Sequence, residues 1–490
     1  MDIHVVLLVM TLGLPLIFAI VLTLFRERLT RTAGALATLS AGLSLLLVLL
    51  QLPALESGLE PMLSMDWVPA AGIGLGLHLD WLAFPFLLVE AAVTFVAMIY
   101  AMGYHHTDSR TPYFYALLLV FAVGMGGTTL ADDLFLFYIC WELMLVASAL
   151  LILVWGDGEQ RGPVALIYFI FTHVGSLLVL VGLLTLFNQA GSDRFAALRA
   201  GVTLPPAYVR SLITLFLIGF SVKMAVFPVH FWLPGAHTVA PMPVTIMLAA
   251  AMLSMGTYGI LRFPFSLFSY DELLPFAVPM MIVGVLSEIY GALMAFAEDD
   301  IKRIIAYSSV SQMGYVLFGL GTLTYNGVSG ATLHVMYHAI VKGLLFMAVG
   351  LVIYATGARR LRDLGGVGRQ MPLVAVCAGV GALAIAATPP FGPFDSEWMI
   401  FSGAFSTPHT LLTVFAVFGS LLTVGYALWF MGRVFFGPSK VATEKLRRPP
   451  LTMVVPTVVL AVLALAAGIY PTPFFNWVAR ELPLLMGGAW

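Results

Sequence analysis

Charge is what this sequence has least of. Only 10% of its residues are Asp, Glu, Lys or Arg, where an ordinary soluble domain carries about 25%. With 61% apolar residues, that shortage argues against the multi-domain soluble chain that 490 residues would otherwise suggest. Cysteine is nearly absent too. Cys140 and Cys377 both fall inside apolar runs and read as packing residues, which leaves no Cys/His metal cluster and no disulfide framework. No Gly-rich phosphate loop stands in a strand-to-helix setting and no nucleophile elbow occurs, so no nucleotide, redox cofactor or metal is expected on this chain. A net charge of −2 gives no reason to expect nucleic acid. The apolar runs do not alternate with polar residues, which excludes a membrane β-barrel. No basic stretch precedes the first apolar run, and Arg26, Arg28 and Arg31 follow it, as in a retained helix rather than a cleaved signal peptide.

What the sequence has in abundance is apolar runs of about 20 residues, the length that crosses a hydrocarbon core about 30 Å thick. Their limits fall near 4–25, 32–52, 79–102, 112–130, 131–156, 163–188, 209–238, 241–262, 274–298, 303–322, 329–356, 371–405, 410–435 and 452–472. The expectation is an all-α polytopic membrane protein of about 14 transmembrane helices. The longest polar connections, 53–78 and 189–208, are short. Alternate loops on one side collect Arg26–Arg31, Lys302, Arg303, Arg359–Arg369 and Lys440–Arg448, including Lys445. The other side keeps only Arg194, Arg199, Arg210, Arg262 and Arg480. The excess of basic residues marks the cytoplasmic side and puts both termini outside a cell membrane.

The seventh and twelfth runs are interrupted. SVKMAVFPVHFWLPGAH carries Pro228 and Pro234, and AATPPFGPFDSEWMIF carries Pro389, Pro390, Gly392 and Pro393. Proline inside a helix removes a backbone donor, and broken backbone at membrane depth is tolerated only where protein or water satisfies it. Matching interruptions in two halves point to a transport site between inverted repeats. Their spacing predicts two five-helix repeats, spans 4–8 and 9–13, each with a broken fourth helix.

Ionisable side chains inside these spans cost about 2.5–3.5 kcal/mol each on insertion scales. Glu142 lies in the fifth span, Lys223 just ahead of the seventh-span break, and Glu397 just after the twelfth-span break. His334, His338 and Lys342 recur every four residues in the eleventh, so they share one helix face. That face has the geometry of a proton relay, since histidine takes and releases protons near neutrality. The plain alternatives are a structural Glu142–Lys223 ion pair and a satisfied core histidine at 338. Glu90 and Glu288 also fall inside apolar runs. His230 and His237 bracket FWLPGA, where a solvated place at the mouth of the broken helix is expected.

SVKMAVFPVHFWLPGAHTVAPMPVT, EDDIKRIIAYSSVSQMGY, HVMYHAIVKGLLF and the WEL of the fifth span resemble the antiporter-like subunits of respiratory complex I, Mrp cation/proton antiporters and membrane-bound hydrogenases. The resemblance implies a hydrophilic axis with a Glu142–Lys223 ion pair in the first repeat. From there the axis runs through His334, His338 and Lys342 to Glu397. PPFGPFDSEW looks like the glutamate-type group that includes formate hydrogenlyase and related hydrogenase subunits. One position departs: the eighth helix of the family usually carries a lysine where AAMLSMGTYGILR has Ser254. Passage between the halves would then run through water or borrow His173 or Glu288.

These readings divide the chain into peripheral helices (1–111), a first repeat (112–262), a second repeat (263–436) and a C-terminal loop and helix (437–490). They imply a proton- or cation/proton-translocating subunit of a multisubunit respiratory, hydrogenase or Mrp-type complex, with other membrane subunits as partners and no redox site of its own. A sodium/proton antiporter, in which Asp395 and Glu397 supply oxygen ligands, and a scaffold coupling a soluble partner to the membrane are the alternatives. In the first alternative's absence, Asp395 reads as a helix cap.

Overall fold

A computed structural model of the chain describes residues 2–105, 107–199, 204–440 and 446–485; Lys445 lies outside them. Sixteen helices build the membrane body: α1 (Ile3–Leu24), α2 (Ala33–Leu49), α3 (Ala83–Tyr104), α4 (Thr111–Leu130), α5 (Leu134–Trp155), α6 (Arg161–Ala190), α7 (Pro206–Met224) and α8 (Trp232–Val239); then α9 (Met242–Phe265), α10 (Tyr270–Ala297), α11 (Ile301–Gly321), α12 (Tyr325–Thr356), α13 (Pro372–Ile385), α14 (Gly392–Phe405), α15 (Thr410–Phe435) and α16 (Leu451–Ile469). Twelve of them are long and apolar enough to cross a membrane. The protein is multi-pass. The seventh and twelfth spans of the sequence are instead the half-helix pairs α7/α8 and α13/α14.

Local chemistry sets the helix ends. The side chains of Asp133, Asp300 and Thr324 accept the first free N–H groups of α5, α11 and α12, satisfying donors that have no partner within the helix. Gly191 and Gly357 close α6 and α12 in the left-handed conformation that glycine adopts without penalty. Helices α9 and α11 are wholly enclosed by their neighbours. α9 is π-helical at Leu248–Met252 and Leu261–Phe265, a winding often found at functional positions.

The two breaks repeat one another. Ala225 (φ 58°) precedes a cis Phe227–Pro228 bond, and Ala387 (φ 48°) precedes a cis Pro389–Pro390 bond. Pro234 lies in the first turn of α8, not in the gap itself, and Gly392 and Pro393 open α14. Early-turn proline is tolerated because its missing N–H would have had no helical partner.

One segment is not helical. The polar connection 53–78 holds an antiparallel hairpin, β1 (Met62–Val68) and β2 (Ile73–His78), the only sheet among the described residues. Two carboxylates at neighbouring helix ends hold it down: Gly76 N donates to Asp133 Oδ2 at 2.7 Å and Gly74 N to Asp193 Oδ2 at 2.8 Å. Burial pushes the Asp133 carboxyl up to about 6, against the two backbone N–H groups it accepts. Beneath the hairpin, Arg262 of α9 bridges both oxygens of Asp80 at 2.6 and 2.8 Å. Arg262 also donates to the Tyr258 hydroxyl at 2.9 Å, which donates in turn to the Thr129 carbonyl at 2.6 Å. A last helix, α17 (Thr472–Leu485), packs Trp477 edge-on against Phe84 and lays Arg480 over Trp81.

Candidate functional site

Lys223 occupies the last turn of α7, where the chain leaves the helix. Trp232 Nε1 donates to the freed Val222 carbonyl at 2.9 Å, and Phe227 N donates to Ser287 Oγ of α10 at 3.1 Å. The break is thus satisfied by protein. The Lys223 side chain is 2% exposed, and its Nζ has no hydrogen-bond partner among the described residues. It stands 5.0 Å above the Trp141 ring, an arrangement worth about 2 kcal/mol when desolvated. Trp141 is itself fixed by its Nε1 donating to Ser176 Oγ at 2.9 Å.

The expected Glu142–Lys223 ion pair is not formed. Glu142 lies 3.1 Å from His173 Nδ1 on α6 instead. Helical phase separates them: residue 142 points about 100° around α5 from residue 141, so Trp141 lies between Ser176 and Lys223 while Glu142 faces His173. The paired Glu142 and His173 side chains are 20% and 37% exposed, which places them at the flank of the bundle. His173, an auxiliary residue in the sequence reading, is therefore a direct partner of Glu142.

Two histidines of the broken seventh span depart from expectation. His230 is buried, stacked against Phe231 and tilted against Tyr290, ring centroids 4.8 Å from each, and is not at a solvated mouth. Aromatic neighbours in the break and on α10 and α11 close over it. His237 is fully buried with no hydrogen-bond partner on either ring nitrogen among the described residues. It lies within electrostatic range of Lys302 and Lys342. Ser254 turns its hydroxyl back to the Ala250 carbonyl at 3.2 Å, the ordinary habit of a helical serine.

The second half is more continuous. Lys342 donates to the Ile305 carbonyl at 3.1 Å and to Ser308 Oγ, both on α11. One turn along the same face, His338 is buried with Nε2 unpartnered among the described residues. His334 ties three helices together, with Nε2 3.0 Å from Gln312 Oε1 on α11 and Nδ1 3.0 Å from Ser396 Oγ on α14. Its ring lies against Tyr315, centroids 5.7 Å apart. The Tyr315 hydroxyl donates to Ser420 Oγ at 3.2 Å, and Ser420 donates to Glu397 Oε2 at 2.9 Å. Glu288 is fully buried beside Gly419 and within electrostatic range of Glu397. Asp395 is only half-buried in the first turn of α14 and makes no cap there, because the helix begins at Gly392 and its N-cap is Phe391.

Several participants are neutral and escape a search for charge: Gln312, Tyr315, Ser396, Ser420 and Thr423. The signal of the first two was present, since SVSQMGY puts four polar residues into an enclosed span. Lys302 belongs with them; its Nζ donates to the Ala240 carbonyl at 2.7 Å, at the C-terminal end of α8. There a cation meets the negative end of the helix dipole.

Residues 131–423 match the family model described as NADH:quinone oxidoreductase/Mrp antiporter, transmembrane. This chain belongs to that family. Residues 67–115 match a second model, the N-terminus of chain 5 of NADH-ubiquinone oxidoreductase (complex I). Among curated relatives, NAD(P)H-quinone oxidoreductase chain 4-2 of Synechocystis sp. is 35% identical over 389 residues, 78% of this chain and 69% of the relative. A chain 4 of Thermosynechococcus vestitus is 34% identical over 435 residues, covering 86% and 81%. Among solved structures, the Mrp complex of Dietzia sp. aligns over 98% of this chain with TM-score 0.87 and 28% identity, and this chain spans 52% of that one. A membrane-bound sulfane sulfur reductase, an archaeal respiratory membrane complex, aligns with TM-score 0.86 and 29% identity over 78% of its chain. Respiratory complex I of Thermus thermophilus shares the fold with TM-score 0.85 at 24% identity. These neighbours are all parts of multisubunit membrane complexes; hydrogenases stand only as a related family.

Proposed function

We propose that this chain is a proton-translocating subunit of a multisubunit membrane complex, embedded in the cell membrane with both termini outside. Its relay runs from Glu142 and Lys223 in a first repeat (112–262) through Lys342, His338 and His334 to Glu397 in a second (263–436). The helices before residue 112 and after 436 flank it. The observation that carries the reading is the hydrogen-bonded run Tyr315–Ser420–Glu397, two hydroxyls able to pass a proton to the carboxyl, with the His334 ring packed on Tyr315 at 5.7 Å between centroids.

In the first repeat the proposed relay gives Glu142 two positions. Paired with His173, it makes no ion pair with Lys223, which stands over Trp141 with Glu142 only in electrostatic range. Swung to Lys223, it would hold the proton there. Exchange between the two is the step by which a neighbouring subunit releases the Lys223 proton. Between the halves, His237 offers a titratable group where Ser254 does not.

Glu397→Gln, in the intact complex reconstituted into vesicles, removes proton translocation while subunit composition is unchanged. Full translocation by that variant refutes the relay. A sodium/proton-exchanging reading draws on the likeness to the Mrp chain, and sodium-dependent quenching after a pH jump separates the two.

A further inference from the structure

One buried carboxyl has no place in the relay. Glu90, midway along α3, is 4% exposed, and its Oε2 has no hydrogen-bond partner among the described residues. It lines a cavity of about 30 Å³ with Thr11, Pro15, Ser44, Thr94 and Gly126. The space lies between the peripheral helices α1, α2 and α3 and the first helix of the first repeat, α4. A void of about 10–15 Å³ suffices for a water-sized occupant, so this one takes a single small guest.

The lining is mostly apolar, and the polar side chains it holds, Thr11, Ser44, Glu90 and Thr94, all offer oxygen. Buried helical hydroxyls in this protein usually donate one turn back, as Thr128 does to Gly124 at 2.8 Å and Thr172 to Tyr168 at 2.7 Å. Ser44 and Thr94 do neither that nor anything else; both hydroxyls are buried without a partner among the described residues. Thr94 follows Glu90 by four residues, so the two share a helix face. Pro15 has no N–H, which leaves the Thr11 carbonyl without its helical donor beside the same space.

Charge then decides the occupant. No Lys, Arg or His lines the cavity, and a lone carboxylate at this depth is costly. Something singly positive must neutralise it, and the cavity admits only something small. We propose that Glu90, Ser44 and Thr94 form a site for one monovalent cation, a proton or a sodium ion, separate from the relay axis. Oxygen ligands of this kind suit either.

The test is infrared difference spectroscopy on the intact complex, wild type minus Glu90→Gln, in choline chloride and in sodium chloride. A bound proton gives a carboxylic C=O band that moves in heavy water and is the same in both salts. Exchangeable sodium gives that band in choline and carboxylate bands in sodium. Carboxylate bands in both salts overturn the proposal. Thr94→Val keeps the carboxyl and removes one ligand. It shifts the C=O band in the first case and raises the sodium concentration for half-conversion severalfold in the second; an unchanged response overturns the site as drawn. None of these readouts depends on pumping, so failure of the relay leaves them interpretable.

Discussion

Replacing Lys223 by arginine separates a charge that must move from one that only has to be present. The Lys223 ammonium has no hydrogen-bond partner among the described residues and is held over Trp141 at 5.0 Å. Arginine keeps the positive charge and stacks at least as well on an aromatic face. Contacts worth about 2 kcal/mol therefore survive, and the complex assembles. Arginine, however, holds its proton with a pKa of about 12 or more. Releasing it near pH 7 costs about 5 × 1.36, or about 7 kcal/mol. That is roughly a 10⁵-fold loss in the deprotonated fraction, which no plausible rate reserve offsets. Lys223→Arg in proteoliposomes should thus show normal subunit composition and no acidification of the lumen, judged by quenching of a pH-sensitive dye. Translocation at the wild-type rate would mean that Lys223 serves only as a fixed countercharge, and the relay through it is wrong.

Tyr315→Phe removes the hydroxyl between His334 and Ser420 and leaves the ring packed. Proton transfer to Glu397 should slow by about tenfold or more, within the range for a lost acid–base contact, while thermal stability falls by only about 1 kcal/mol. Equal losses in both would mark Tyr315 as structural. Asp80→Asn uncovers the buried Arg262 charge and should cost about 3–5 kcal/mol, read as a lower unfolding temperature of the purified complex. Asp80→Asn with Arg262→Met should recover much of it; no recovery refutes a paired origin. At Asp133, a raised carboxyl pKa means the folded protein binds its proton more tightly than the unfolded chain. Its ionisation therefore removes stability as pH rises from the ordinary carboxylate range to about 6. Asp133→Asn should flatten that decline, and an unchanged pH profile of unfolding contradicts the assignment.

The spans were legible in the sequence because bilayer thickness dictates helix length, and the capping residues then trim it: Thr324 and Gly357 mark the ends of α12. The breaks were legible because proline cannot donate, although where each half-helix restarts depends on turn geometry, as Pro234 shows. The hairpin was not, since IGLGLH spends alternate positions on glycine and leaves little strand signal. Pairing between helices was also out of reach. Whether Glu142 meets Lys223 or His173 turns on a rotation of about 100° between neighbours on α5, and a sequence shows which residues share a face without showing what that face meets.

The same limit explains which parts of the site stayed hidden. A search for charge in an apolar chain finds the endpoints, because an ionisable group in a bilayer is rare and expensive. It passes over the carriers between them, because a serine or tyrosine in a membrane helix costs little and is common. Yet a proton crosses a dry gap on hydroxyls as readily as on amines, provided they are ordered. In this protein the ordered hydroxyls lie where α11, α14 and α15 meet, and Tyr315 belongs to the enclosed α11 that no partner subunit can reach. Glu142 and His173 lie at the opposite extreme, partly exposed on the flank. Under the proposed relay, a neighbouring subunit can act on the Glu142–His173 pair directly and on Glu397 through Ser420 of the largely exposed α15.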